Sequence, residues 1–180
     1  MTEDSRRKPY FPIFLDLSEK QAVIIGGGTI AERRLRILRG FVGSIRIVAP
    51  KITDAVREMI RSGGRDERPG EEALCGAARI IWRAKWYEAD DLTGADLVLA
   101  CTDDPERNSE IYRTCRELEI PVNDCSDKSQ CDFYFPGVVL KDGIVIGING
   151  SGTAHRKVKA VRQKIEEALE CGHSLYDEEA

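Results

Sequence analysis

One short stretch constrains this chain more than any other. Gly26-Gly27-Gly28-Thr29-Ile30-Ala31 stands between an apolar run, Gln21 to Gly26, and the helically spaced apolar residues Ile30, Ala31, Leu35 and Leu38, which lead up to Gly40. It fits G-x-G-x-x-[GA] in the setting that pattern needs, between the first strand and the first helix of an α/β unit. Gly26 permits the tight turn, Gly28 lets a pyrophosphate come against the backbone, and Ala31 allows the helix to lie close on the sheet. The helix N-terminus then presents its unpaired N–H groups to the phosphates. The pattern points to a bound dinucleotide.

The strand–helix alternation continues. A β-branched run, Ser44 to Val48, ends at Ala49-Pro50 and gives way to Ile52, Val56, Met59 and Ile60 at helical spacing. A Gly-, Arg- and Glu-rich stretch from Ser62 to Gly76 reads as a loop before a strand at Arg79 to Trp82. Ala95 to Cys101 reads as a buried strand, followed by a polar turn and a helix carrying Ile111, Cys115 and Leu118, and Ile120-Pro121-Val122 begins one more strand. Such alternation predicts a doubly wound parallel sheet over residues 1–125. After Cys131 the pattern changes. Tyr134 to Leu140 and Ile144 to Ile148 flank Lys141-Asp142-Gly143, a hairpin signal, and a helix from about Ala154 carries Val158, Val161, Ile165 and Leu169 before Cys171-Gly172 stops it. A hairpin and helix over 126–180 cannot bury their own apolar faces, so a homodimer is expected.

Composition narrows the partners. With 42% hydrophobic and 32% charged residues and no apolar run near the length of a membrane span, a water-soluble, cytoplasmic protein without a membrane partner or signal peptide is expected. A net charge of −4 argues against nucleic acid. The six cysteines include no CxxC pair and are expected to be reduced, and neither they nor His155 and His173 show a metal-site spacing, so no metal is expected.

Several polar residues are candidates for chemistry. Asp103 and Asp104 follow a strand at the carboxyl edge of the sheet, where open α/β folds bind ligands, although Asp104 before Pro105 is also a good helix cap. Asn108, one turn into that helix, is either a ligand contact or a solvated helix residue. No acidic residue ends the second strand, which reads Ala49-Pro50-Lys51, so that position does not separate NAD from NADP. His155, Lys159 and Arg162 share one face of the last helix and could meet an acidic ligand, as could Arg33, Arg34, Arg36 and Arg39 on the first.

Taken in order, Pro12-Ile13-Phe14, Gly26-Gly27-Gly28, Ala31-Glu32-Arg33, Val48-Ala49-Pro50, Thr102-Asp103-Asp104, Asn108, Val122-Asn123, Cys131-Asp132-Phe133-Tyr134-Phe135 and Gly150-Ser151-Gly152 resemble the precorrin-2 dehydrogenase family, which includes the N-terminal part of sirohaem synthases. The likeness spans roughly Phe11 to Ile165. It implies a Rossmann-type fold with a dimerisation extension, NAD as hydride acceptor, and oxidation of the tetrapyrrole precorrin-2 to sirohydrochlorin. Cofactor contacts are then expected at Gly26, Gly28, Thr29, Ile30, Ala31, Pro50, Thr102, Asp103 and Asn108, and substrate contacts at His155, Lys159 and Arg162.

Two positions depart from the family. Its aspartate three residues after the Val-Asn asparagine is Ser126 here, flanked by Asp124 and Asp127, so Ser126, Asp103 and Asp127 are the catalytic candidates. Where the family often has Ser-Pro, this chain has Ala154-His155, so regulation by phosphorylation of that serine is not expected. Two other functions stay open: a dehydrogenase that also inserts iron into sirohydrochlorin, and a non-catalytic NAD or tetrapyrrole sensor.

Overall fold

The computed structural model describes residues 10–63, 78–151 and 154–170. The predicted loop at Ser62 to Gly76 falls mostly outside them, as does the Cys171-Gly172 helix stop. The chain divides into two compact units, Phe14–Phe133 and Tyr134–Ala180 together with Met1–Ile13.

The first unit is an α/β sandwich built on a five-stranded sheet. Its strands are β1 (Leu17–Ile25), β2 (Val42–Val48), β3 (Arg79–Arg83), β4 (Leu97–Ala100) and β5 (Val122–Asp124), in the order β3-β2-β1-β4-β5 and all parallel. Helices α1 (Thr29–Leu38), α2 (Asp54–Arg61) and α3 (Pro105–Glu117) make the crossovers. The order reverses between β1 and β4, where Ala22 to Ile25 pair with Leu97 to Ala100. That is the switch point at which open sheets of this kind leave a crevice. The central strands are buried on both faces, which is why they read as unbroken apolar runs rather than alternating ones. Val23, Ile25, Val98 and Ala100 pack with Ile111, Cys115 and Leu92 in one core.

Strands β1 and β2 both start earlier than the sequence predicts, at Leu17 and Val42. β1 starts at Leu17, although Ser18, Glu19 and Lys20 are exposed, because Leu17 pairs with Val42 before the register shifts at Gln21. Gly43 allows this, since a Cβ there would lie 2.5 Å from the Ser18 carbonyl oxygen. The first unit also ends eight residues later than the predicted boundary at 125. Beyond β5 the chain turns back: Cys131 bridges Asn123, the Asp132 N–H donates to the Val122 carbonyl (2.9 Å), and the Asn123 side chain donates to the Phe133 carbonyl (2.8 Å).

A buried carboxylate anchors the sheet's other flank. Asp91, in the short 3-10 turn Ala89–Leu92, accepts from the Glu88 N–H and pairs with Arg83 (3.0 Å) and Lys85 (3.1 Å). Burial raises its affinity for a proton, but these donors outweigh burial and hold the carboxyl below its ordinary range.

The second unit contains the hairpin β6 (Gly137–Lys141) and β7 (Ile144–Ile148) and helix α4 (His155–Glu170). Lys141 pairs with Ile144, leaving a two-residue turn in which Asp142 and Gly143 both have positive φ (50° and 78°), the geometry that matches strand twist. Gly137 seats the helix, since a Cβ there would come within 3.0 Å of Val158 Cγ1. No α4 residue is fully buried, and Val161 is 45% exposed. Among the described residues no helix is long and apolar enough to cross a membrane.

Candidate functional site

The three glycines do different work. Gly26 has φ 118°, and a Cβ there would lie 2.4 Å from the Cys101 carbonyl oxygen, so this residue lets β1 turn against the end of β4. A Cβ on Gly27 would stand 2.0 Å from the Lys51 carbonyl oxygen, so Gly27 brings the turn against the loop after β2. A Cβ on Gly28 would meet nothing within 4 Å. Gly28 faces open space, and it is the N-cap of α1 with no side chain capping the helix. Thr29 and Ile30 are also exposed, whereas Ala31 is buried against the sheet. The turn therefore fits a pyrophosphate: glycines where the protein backbone is close, room where a ligand would lie, and uncapped helical N–H groups beside it.

The loop after β2 lies along one side. Pro50 and Lys51 are exposed, and Thr53 caps α2 by accepting from the Val56 N–H. The Thr53 hydroxyl donates to Glu32 (2.9 Å), which also pairs with Arg36. The residues that end β2 and follow it, Val48-Ala49-Pro50-Lys51, include no carboxylate.

On the other side of the switch point the residues after β4 and β5 form one hydrogen-bonded network. Asn108 is completely buried, which fits neither of its two readings from the sequence, a solvated helix residue or a direct ligand contact. Its Oδ1 accepts from the Thr102 N–H (3.1 Å) and hydroxyl (2.6 Å), and its Nδ2 donates to the Thr102 carbonyl (3.3 Å) and to Ser126 Oγ (3.0 Å). All four of its hydrogen-bonding positions are used. Asn108 therefore locks Thr102 and aims Ser126. Asp104 caps α3, accepting from the Glu106 and Arg107 N–H groups, while Asp103 is exposed.

Ser126 connects this network to a carboxylate behind it. Its hydroxyl donates to Asp124 Oδ1 (2.6 Å), and the same oxygen accepts from the Ser126 N–H (2.7 Å) and the Asp127 N–H (3.1 Å). Asp124 is 3% exposed, and its Oδ2 is buried without a hydrogen-bond partner. A hydroxyl has one proton to give and two lone pairs. At Ser126 the proton goes to Asp124 and one lone pair to Asn108, and the residue is exposed, so the second lone pair can accept. Asp127 is turned to its own loop, where the Ser129 hydroxyl and N–H hold its carboxyl below the ordinary range.

The structure thus brings Gly26, Gly28, Thr29, Ile30, Ala31 and Pro50 together on one flank of the switch point and Thr102, Asp103, Asn108, Ser126 and Asp127 on the other. His155, Lys159 and Arg162 belong to the second unit, where His155 and Lys159 are exposed and Arg162 pairs with Glu166. Glu166 stands one turn along from Arg162 on the same helix. Among the described residues no group of three or more His, Cys, Asp or Glu side chains could hold a metal ion.

A sheet of this order with a glycine turn at its switch point defines a dinucleotide-binding α/β protein. The family model described as "Putative NAD(P)-binding" matches residues 13–137, and the chain belongs to that family. Its cofactor is a nicotinamide dinucleotide. The chain is 35% identical over 156 residues to "Probable multifunctional siroheme biosynthesis protein HemA" of Ruminiclostridium josui, a match covering 86% of this chain and 27% of that protein. It is 32% identical over 157 residues to "Siroheme synthase" of Pseudomonas putida, covering 87% and 31%. The chain thus spans less than a third of these relatives. Among solved structures, "SirC, precorrin-2 dehydrogenase" shares the fold with a TM-score of 0.62 at 19% identity, over 88% of this chain and 71% of that one.

Proposed function

We propose that this chain oxidises precorrin-2 to sirohydrochlorin with NAD as the hydride acceptor. The observation that carries this reading is the open Gly28 turn after β1 together with the Ser126–Asp124 pair at the end of β5, both at the carboxyl edge of one sheet. The relatives named for sirohaem biosynthesis, matched over most of this chain, supply the substrate class. Removing two electrons from the reduced macrocycle sends a hydride to the nicotinamide and a proton to a base. The glycine turn and the N-terminus of α1 hold the pyrophosphate, Asn108 orients Ser126, and the Ser126 hydroxyl takes a substrate proton while passing its own to Asp124. Asp124, rather than Asp127 or Asp103, is then the carboxylate that stands in for the family's aspartate. Of the α4 residues expected to pair with substrate carboxylates, His155 and Lys159 are exposed, whereas Arg162 already pairs with Glu166. Four free thiols among the described residues, Cys101, Cys115, Cys125 and Cys131, suit a reducing cytoplasm.

Anaerobic incubation of the purified chain with precorrin-2 and NAD should give NADH and the absorption spectrum of sirohydrochlorin, with a lower kcat/KM for NADP. Dinucleotide binding without turnover would leave the sensor reading standing instead, and equal efficiency with both cofactors would remove the NAD preference.

We also propose a homodimer through β6, β7 and α4. Its support is the incompletely covered stripe of α4 and the 39% exposure of Ile144 on the hairpin. Light scattering at micromolar concentration should return twice the chain mass, and a monomer there would count against the assembly.

A further inference from the structure

Cys101 and Cys125 are the first residues past the ends of β4 and β5. Ala100 and Asp124 are partners in register, and the Cys125 N–H donates to the Ala100 carbonyl (2.9 Å), so the cysteines occupy equivalent positions on neighbouring parallel strands. Side chains at equivalent positions project to the same face, and such strands lie about 4.8 Å apart, inside the roughly 4.4–6.8 Å Cα window of a disulfide. The two Sγ atoms are 3.2 Å apart, and both cysteines are free thiols. Cys101 is buried and Cys125 is half-buried.

The surroundings distinguish the two. The Cys101 thiol bonded to it and the Arg34 guanidinium of α1 hold the Cys125 thiol below its ordinary range, while Cys101 is pushed up by the same pairing and by burial. The other described cysteines are shifted away from the thiolate. Burial pushes Cys115 up to about 12 and Cys131 up to about 11, and the Cys131 thiol donates to the Asp124 carbonyl (3.2 Å).

We propose that Cys101 and Cys125 form a dithiol oxidation site that closes reversibly into a disulfide at the carboxyl edge of the sheet and loosens the dinucleotide turn. The oxidant is a low-molecular-weight disulfide. The Cys125 thiolate attacks one of its sulfurs, the S–S bond breaks, and the departing thiolate takes a proton. Cys101 then loses its proton and attacks the Cys125 sulfur of the mixed disulfide, which releases the second small thiol. Two cysteine thiols are oxidised, and one small disulfide is reduced to two thiols.

Closure reaches the turn through the backbone. The sulfurs must move from 3.2 Å to a bond of about 2.05 Å, and the Cys101 carbonyl is the atom against which Gly26 turns. Cys101 precedes Thr102 and Cys125 precedes Ser126, so the Thr102–Asn108–Ser126 network is pulled from both ends. This second half rests on the dinucleotide site described above, whereas the disulfide itself does not.

The test treats the reduced full chain with oxidised glutathione and maps its peptides without reduction. A Cys101–Cys125 linkage is expected, with Cys101→Ser trapping glutathione on Cys125 and Cys125→Ser giving neither product. NADH affinity of the oxidised chain should fall about tenfold, recover with dithiothreitol, and stay unchanged in treated Cys125→Ser. Linkage or glutathione confined to Cys75, Cys115, Cys131 or Cys171 would overturn the site. A Cys101–Cys125 linkage with unchanged NADH affinity would overturn its coupling to the turn. Reduced chain that binds no NADH would instead sink the dinucleotide reading, and the peptide map would still decide the disulfide.

Discussion

Gly28→Asp is expected to abolish dinucleotide binding and leave the protein folded. The backbone at Gly28, with φ −83° and ψ −169°, is extended and open to any L residue, and a Cβ there meets no protein atom within 4 Å. Aspartate is also a favoured N-cap, so the free protein should lose no stability and could gain about 0.5–1 kcal/mol. The same side chain fills the space left for the pyrophosphate and sets a negative charge against it. A loss of at least about 100-fold in NADH affinity, or roughly 3 kcal/mol, follows. Gly27→Ala should do the reverse, because its Cβ would stand 2.0 Å from a backbone oxygen and the fold itself must give way. Calorimetric titration with NADH and thermal denaturation of both variants separate the two effects. NADH affinity preserved within about threefold in a folded Gly28→Asp chain would falsify the assignment.

Asp124 carries the second large effect. Asp124→Ala removes the acceptor of three hydrogen bonds, from the Ser126 N–H, the Ser126 hydroxyl and the Asp127 N–H, in a buried position. A stability loss of about 3 kcal/mol is expected. Asp124→Asn keeps an acceptor oxygen in the same place and puts the amide nitrogen where Oδ2 now has no partner. It should fold normally and lose the ability to take the Ser126 proton. The expected result is a drop in kcat of about 10–100-fold with little change in KM for precorrin-2. A fully active Asp124→Asn chain would show that proton removal does not pass through this carboxylate. The same preparation, given sirohydrochlorin and ferrous iron without oxygen, should form little sirohaem above the spontaneous rate. Metal insertion must remove two pyrrole protons, and a single buried carboxylate reached through one hydroxyl is poorly suited to both. Rapid sirohaem formation, lost in Asp124→Asn, would establish the bifunctional alternative.

Much of the architecture was legible in one dimension because it depends on local patterns. Strands buried on both faces read as apolar runs, helices with one buried face repeat at 3.6 residues, and a turn that needs positive φ or close backbone approach shows its glycines. β2, α2, α3 and both hairpin strands follow from such signals, as does the Asp104 cap before Pro105. The start of β1 did not, because Ser18 to Lys20 are exposed and polar and owe their strand conformation to pairing with β2 rather than to a pattern of their own.

The candidate site divides along the same line. The sequence by itself determined the glycine turn, because Gly26 and Gly27 each answer a constraint set by neighbouring backbone while Gly28 leaves open space beside them, and it marked the stretch around Ser126 through family resemblance. Only the tertiary structure decided what the polar residues do there. Asn108 looks like any helix asparagine until α3 packs against β5 and buries it with all four hydrogen bonds made. Asp124 and Asp127 are equal neighbours of Ser126 on paper. The turn back after β5 draws Asp127 into its own loop and leaves Asp124 beneath the hydroxyl. The cysteine pair was hidden for a similar reason: Cys101 and Cys125 lie 24 residues apart and become neighbours only when β4 and β5 pair in parallel register. Backbone constraints act within a few residues and leave their mark in the chain, whereas the partners of a side chain are set by which strands lie side by side.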